Sequence, residues 1–238
     1  MVCINNIIRR MRQGQTGPYL CAADDGNLYI VKGPNTTYLG LIYEWVCGHL
    51  GLAIGLPVPA LEIAYVDSSL LEYGGYDFTE GDWFASKYVE NIQDVPFELV
   101  SELDVSKLKL LFLFDYWIKN GDRVLGQFGG NPNLFIRSDL STFVVLDHNM
   151  AFERGFDENF EKDKMEHVGA SAWFSVQLDL YEKQYYEGIL DAGFAQIDTI
   201  LNSVPPVWVD ASGENNVLTD IKNTLERFKQ PEFWEGIK

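Results

Sequence analysis

The sequence predicts an α+β protein with two lobes that share a cleft. Three observations carry that expectation. The first third consists of short apolar runs separated by turn signals, whereas the last third is patterned as helices. Between Lys32 and Glu62 the only Asp, Glu, Lys or Arg is Glu44. Residues 115–152 gather carboxylates and asparagines around a hairpin signature. The 238 residues divide into an expected N-lobe over 1–90, a β-meander plus one helix, and a helical C-lobe over 91–238 that carries the hairpin.

Residues 4–11, 19–22 and 28–32 read as the first three strands, with a strong turn at Asp24-Asp25-Gly26-Asn27. Gly14 and Gly17 lie in the first loop. They fit either an ordinary hairpin loop or a lid, in which missing Cβ atoms would let backbone N–H groups lie over nucleotide phosphates. Arg9, Arg10 and Arg12 lead into that loop and would either assist phosphate binding or form a solvated strand face.

Residues 38–50 have helical periodicity, and Ile42, Trp45, Val46, His49, Leu50 and Ala53 form one stripe. Glu44 lies on the opposite side, among Gly40, Cys47, Gly48 and Gly51. Small residues allow a helix to approach a sheet, and a carboxylate placed there requires a cation. The nearest along the chain is Lys32, at the end of the preceding strand. The helix should stop at Gly55, before Leu56-Pro57-Val58-Pro59 forces extended backbone. Strands come next at 61–66 and 83–89. The second is either a plain edge strand or, in a two-lobed nucleotide site, the strand that feeds a hinge where main-chain groups of Tyr88, Val89 and Glu90 would meet an adenine.

A polar connection over 91–102 is expected to contain a short helix, and Asp104 to cap a helix over 105–119. Asp115 falls on the buried side of that helix, where it would hold the next loop by accepting backbone N–H bonds. Asn120-Gly121-Asp122-Arg123 ends the helix. A Gly-rich loop and Asn131-Pro132-Asn133 come next, then apolar runs at 134–136 and 143–146, the second ending at Asp147. Antiparallel pairing sets the start of one strand beside the end of its partner. Asn131, Asn133 and Asp147 should therefore meet at one mouth, with Asp122 entering from the same side. A carboxylate before the loop, an Asn after it and an Asp at the partner strand's end is a set suited to phosphoryl transfer, the first as base and the others holding magnesium. Residues 153–164 are strongly charged and expected to be mobile, and 178–190, 194–204 and 217–228 read as helices.

Composition narrows the function classes. A net charge of −17 disfavours direct binding to nucleic acid or an anionic membrane. Three cysteines without metal-ligand spacing read as reduced thiols in a cytoplasmic protein, and the three histidines are too scattered for a zinc site. No signal peptide or membrane-length apolar run is evident.

Taken together, Tyr29-Ile30-Val31-Lys32, the isolated Glu44 before Gly55-Leu56-Pro57-Val58-Pro59, Asn120-Gly121-Asp122-Arg123, Asn131-Pro132-Asn133-Leu134 and Leu146-Asp147-His148 resemble the HipA-like kinase family. That family is a bacterial branch of the protein-kinase-like superfamily, and the resemblance covers roughly residues 8–155. It implies a two-lobed protein-kinase-like fold with the active site in the cleft. It also implies phosphorylation with ATP and magnesium, usually of protein Ser or Thr, in a toxin–antitoxin or related regulatory setting. The expected partners are an unidentified protein substrate and a small antitoxin-like or regulatory protein. By position, Lys32 would contact the α/β-phosphates, Glu44 would orient it, and Asp122 would be the catalytic base. Asp147 would bind magnesium with Asn131 or Asn133, the latter favoured because it directly precedes the apolar strand. The chain departs from the family in the extra residues around Gln127-Phe128-Gly129-Gly130, in Val124 where a His is common, and in lacking His-Arg-Asp and Asp-Phe-Gly. The alternatives are a nucleotide-binding regulatory module without turnover and a small-molecule phosphotransferase.

Overall fold

The computed structural model describes residues 1–11, 16–72, 74–137 and 142–238. Its first strand, β1 (Val2–Arg10), pairs antiparallel with β2 (Tyr19–Ala23). The turn at residues 24–27 sets the register of the third strand. Asp25 accepts hydrogen bonds from the Asn27 N–H at 2.9 Å and the Tyr29 hydroxyl at 2.8 Å, and Gly26 takes a φ of +80° that a side chain would strain. β3 (Leu28–Lys32) thereby aligns on β2 with Tyr19 opposite Val31.

Helix α1 (Tyr38–Ala53) starts at Thr37, whose hydroxyl accepts from the Gly40 N–H at 3.0 Å. It is buried on nearly all sides, which explains why its sequence carries one charge. Gly48 faces Leu61 and Gly51 faces Val58, so both small residues serve close packing. β4 (Leu61–Val66) and β5 (Gly81–Lys87) complete a closed five-stranded barrel in the order β1-β2-β3-β5-β4, in which β1 and β4 run parallel.

The connection to the helical region contains the expected short helix, of 3-10 type over Phe97–Glu102, and before it an unexpected strand, β6 (Ile92–Asp94). Asp104 caps α2 (Val105–Trp117) by accepting from the Ser106 and Lys107 N–H groups. The helix ends before Lys119, which takes a φ of +53°. A small hairpin, β7 (Val124–Gly126) and β8 (Gly129–Asn131), occupies what reads in sequence as an irregular glycine loop. β9 (Leu134–Arg137) then pairs antiparallel with both β6 and β10 (Phe143–Val145).

Residues 153–164, expected to be mobile, include the helix α3 (Phe156–Asp163). Phe156 and Phe160, one turn apart, are both buried and stacked, so an apolar edge outweighs the charge of the segment. Helices α4 (Ala170–Trp173), α5 (Leu180–Phe194), α6 (Ile197–Asn202), α7 (Pro206–Ala211), α8 (Val217–Glu226) and α9 (Pro231–Glu235) finish the chain. Buried tryptophans join distant segments while satisfying their N–H groups: Trp117 donates to the Leu225 carbonyl and Trp173 to that of Ile237. Among the described residues, no helix is long and apolar enough to cross a membrane.

Candidate active site

The buried carboxylate of α1 meets its cation. The Lys32 ammonium, at the end of β3, bonds Glu44 and also donates to Asp147 Oδ1 at 2.8 Å. Glu44 accepts a second bond from the His148 backbone N–H at 3.2 Å, so α1 is tied to the segment following β10. Burial opposes the charge on Lys32, but the two carboxylates outweigh it and raise its pKa. Two acids share one ammonium. Glu44, the more buried, is pushed up to about 7 by desolvation against the pull of Lys32. For Asp147 burial opposes ionisation, yet Lys32 holds its carboxyl below the usual range. Asp147 also takes a φ of +63°, a strained conformation for a non-glycine residue.

Asp122 lies at the same mouth. Its Oδ2 accepts from the side-chain amides of Asn131 at 2.9 Å and Asn133 at 3.0 Å, so both asparagines engage it and not the favoured Asn133 alone. Burial, then repulsion from Asp147, raises the Asp122 pKa, which suits a proton acceptor. Asn133 adopts a φ of +44° and passes its carbonyl to the Leu146 N–H at 3.1 Å, locking it beside the strand that delivers Asp147.

A cleft of about 420 Å³ opens between the lobes. Lys32, Glu44, Asn133 and Asp147 line its polar end, and Ile30, Val58, Leu61, Phe84, Phe135 and Val145 supply apolar walls. Tyr88 and Val89 line it too, with the Tyr88 N–H already given to the Leu28 carbonyl. Asp122, Asn131, Glu90 and Gly17 are not among the lining residues, whereas Asn133, Asn91, Thr16 and Pro18 are. Gly14 and Arg12 lie outside the described residues. Of the arginines before that loop, Arg9 lines the cleft, and Arg10 is paired with Asp77 at 2.9 Å.

Among the described residues, no three His, Cys, Asp or Glu side chains converge as a metal site. The oxygens at hand are the Asp147 carboxylate and the carboxamides of Asn131 and Asn133, whose NH₂ ends are turned to Asp122. These hard donors fit magnesium, which retains water and takes substrate phosphate oxygens alongside one or two carboxylates.

A family model for HipA-like kinases matches residues 4–237. The chain belongs to the HipA-like kinase family. No curated protein matches it. Among solved structures, the Helicobacter pylori proinflammatory kinase CtkA has a TM-score of 0.58 at 11% identity, covering 96% of this chain and 92% of that one. The Golgi casein kinase has a TM-score of 0.47 at 12% identity, covering 100% of this chain and 76% of that one. The likeness to CtkA is one of fold: a strand-rich N-terminal region and a helical C-terminal region in a protein-kinase-like arrangement. Family and fold together support a phosphotransferase.

In this HipA-like kinase, sequence reasoning passed over the node that holds the site together. Arg123 is fully buried. It bonds Asp115 through Nε at 2.7 Å, and its Nη1 donates to the carbonyls of Pro132, Asn133 and Leu146. Asp115, expected to accept backbone N–H bonds, instead accepts from three side chains: Arg123, Asn120 at 2.8 Å and the His167 ring at 2.9 Å. Burial disfavours its charge, but Arg123 and His167 hold its pKa down to about 2. The sequence signal available was Asp115 itself, a charge on an apolar helix face eight residues before Arg123.

Proposed function

We propose that the chain transfers the γ-phosphoryl group of ATP, with magnesium, to a Ser or Thr hydroxyl of a protein. What carries this proposal is Lys32, held in the cleft between Glu44 and Asp147, with Asp122 joined to the cleft-lining Asn133 and to Asn131 just beside it. The N-lobe, residues 1–90, would supply the nucleotide site, with the base against the apolar walls and Lys32 on the phosphates. The C-lobe, residues 91–238, would supply Asp122. Its raised pKa suits removal of the acceptor proton as the hydroxyl oxygen bonds the γ-phosphorus and the bond to the β–γ bridging oxygen breaks, releasing ADP. Magnesium, held by Asp147 with Asn133 or Asn131, would neutralise phosphate charge. Family membership supports a toxin–antitoxin or regulatory setting with a small protein partner. Free thiols at Cys3, Cys21 and Cys47 fit a reducing cytoplasm.

Intact-mass measurement after incubation with ATP, magnesium and candidate acceptors tests the proposal. Asp122→Asn should slow transfer by about 10²–10⁴-fold while keeping the ATP-dependent rise in melting temperature. Transfer that continues unchanged in both Asp122→Asn and Asp147→Asn would sink it. The double amide bond to Asp122 favours one other reading, a nucleotide-binding regulator without turnover. That protein would gain about 2–3 kcal/mol of stability from saturating ATP and show no mass increase on any acceptor.

A further inference from the structure

Helix α5 turns one face into the molecule and one outward. Tyr186, Leu190 and Gly193 are buried. A Cβ on Gly193 would lie 2.6 Å from Ile54 Cγ2, so this glycine serves close packing within the chain. Gly188 has no such role. It stands exposed in the middle of the 15-residue helix, and a Cβ there would meet nothing within 4 Å. Glycine in a helix interior disfavours the helix relative to alanine, and no contact within the chain offsets that cost at Gly188. The rest of the outer face is apolar. Tyr181 is 81% and Tyr185 65% exposed, with Val176 and Leu180 exposed beside them. No other stretch among the described residues gathers as many exposed large apolar side chains.

The order of residues on that face selects its occupant. Tyr181, Tyr185, Gly188, Ala192 and Ala195 follow at alternating steps of four and three, the spacing of a helix–helix seam, and all five are exposed. Large side chains precede Gly188 and small ones follow it, so the face is complementary to itself. A second α5 laid antiparallel across the first, with the two-fold axis at Gly188, sets Tyr181 against Ala195 and Tyr185 against Ala192 on both sides of the axis. The glycine then admits the close crossing of two backbones. Area fits the same occupant. At the exposures above, and with about 150–250 Å² for an aromatic side chain, Tyr181, Tyr185 and Leu180 offer about 400 Å² per copy. With the small residues between them, two such faces bury on the order of 1,000 Å², enough for a specific but weak interface. We propose that this chain forms a two-fold symmetric dimer through α5, the two helices crossing antiparallel at Gly188. The net charge of −17 on each copy opposes association at long range, so the dimer should tighten as salt screens that repulsion.

Sedimentation velocity of the full chain over a range of concentrations, at low and at high salt, tests this. Wild type should pass from monomer to dimer as protein and salt rise. Gly188→Leu puts a side chain at the crossing and should raise the dimer dissociation constant by about tenfold or more. In the monomer that side chain meets only solvent and leucine favours the helix, so dilute Gly188→Leu should melt no lower than wild type. Tyr185→Ser, which empties the contact with Ala192, should weaken the dimer by a similar factor and provides a second, independent reading. A wild type that stays monomeric at every concentration and salt leaves the face to a different protein and overturns the inference. A dimer that forms as tightly in Gly188→Leu and Tyr185→Ser as in wild type uses another surface and overturns it equally. Neither result bears on the phosphotransfer proposed above.

Discussion

Arg123 shows how one side chain can decide both architecture and chemistry. Its guanidinium joins a helix carboxylate to carbonyls from two other segments, a geometry that a lysine cannot reproduce with three donors at a single point. Arg123→Met should destabilise the fold by about 3–5 kcal/mol, since it strands the Asp115 carboxylate in the interior; urea denaturation measures it. Titration adds a second expectation. Burial, reinforced by Arg123, lowers the His148 pKa from an ordinary 6.5 to about 3, so its contribution is complete above pH 6.5 and is lost as pH falls toward 3. Glu44, raised from 4.5 to about 7, has the opposite sign: its contribution is complete below pH 4.5 and is lost as pH rises through 7. Asp115 contributes above its ordinary 3.8 and loses that contribution toward pH 2. Glu44 and His148 thus act in opposite directions between pH 4.5 and 6.5, while His148 and Asp115 both lose their contributions at lower pH, where stability should fall. His148→Gln, which removes one of the opposing titrations, should become more stable on going from pH 7 to 4.5. A urea midpoint that stays flat or falls over that range in the variant would contradict the assignment.

At the scale of elements, the hairpin β7–β8 and the helix α1 contrast in what sequence reveals. Lys32 and Glu44 were legible as a pair because a lone charge on a helix of apolar and small residues has few places to go. Asp147 was legible from the apolar run that ends on it. The hairpin was not, because two three-residue strands rich in glycine have no hydrophobic alternation to read. The choice between Asn131 and Asn133 was equally hidden, since only the folded hairpin brings both amides to Asp122. Gly130→Ala should force the strands apart and displace Asn131. We expect about 10²-fold slower transfer, with an ATP-dependent melting shift like that of wild type because Gly130 does not line the cleft; single-turnover rates and thermal shift separate the two.

On the scale of the whole molecule, the strand-rich and helical regions are joined away from the cleft as well as beside it. Trp45 of α1 donates to the Ser203 hydroxyl at 2.9 Å, and Trp208 of α7 reaches back to the Asp82 carbonyl at 2.8 Å. The two rings meet edge to face. Trp208→Ala should cost about 3–5 kcal/mol and split a single calorimetric unfolding transition into two as the lobes uncouple. None of this was readable beforehand, because partners 126 and 158 residues apart leave no local pattern. The strands of the first third and the α1 helix were readable because turn residues and apolar periodicity act locally.

The anchoring of Arg123 has a consequence for descent. Asp122 is only partly enclosed, and its loss would leave a folded shell with the Lys32, Glu44 and Asp147 cluster in place. Arg123 offers no such latitude. A lineage that gives up turnover can drift at Asp122 and must still retain Arg123 and Asp115. Relatives that have shed the reaction should be recognisable by an intact arginine beside a missing aspartate.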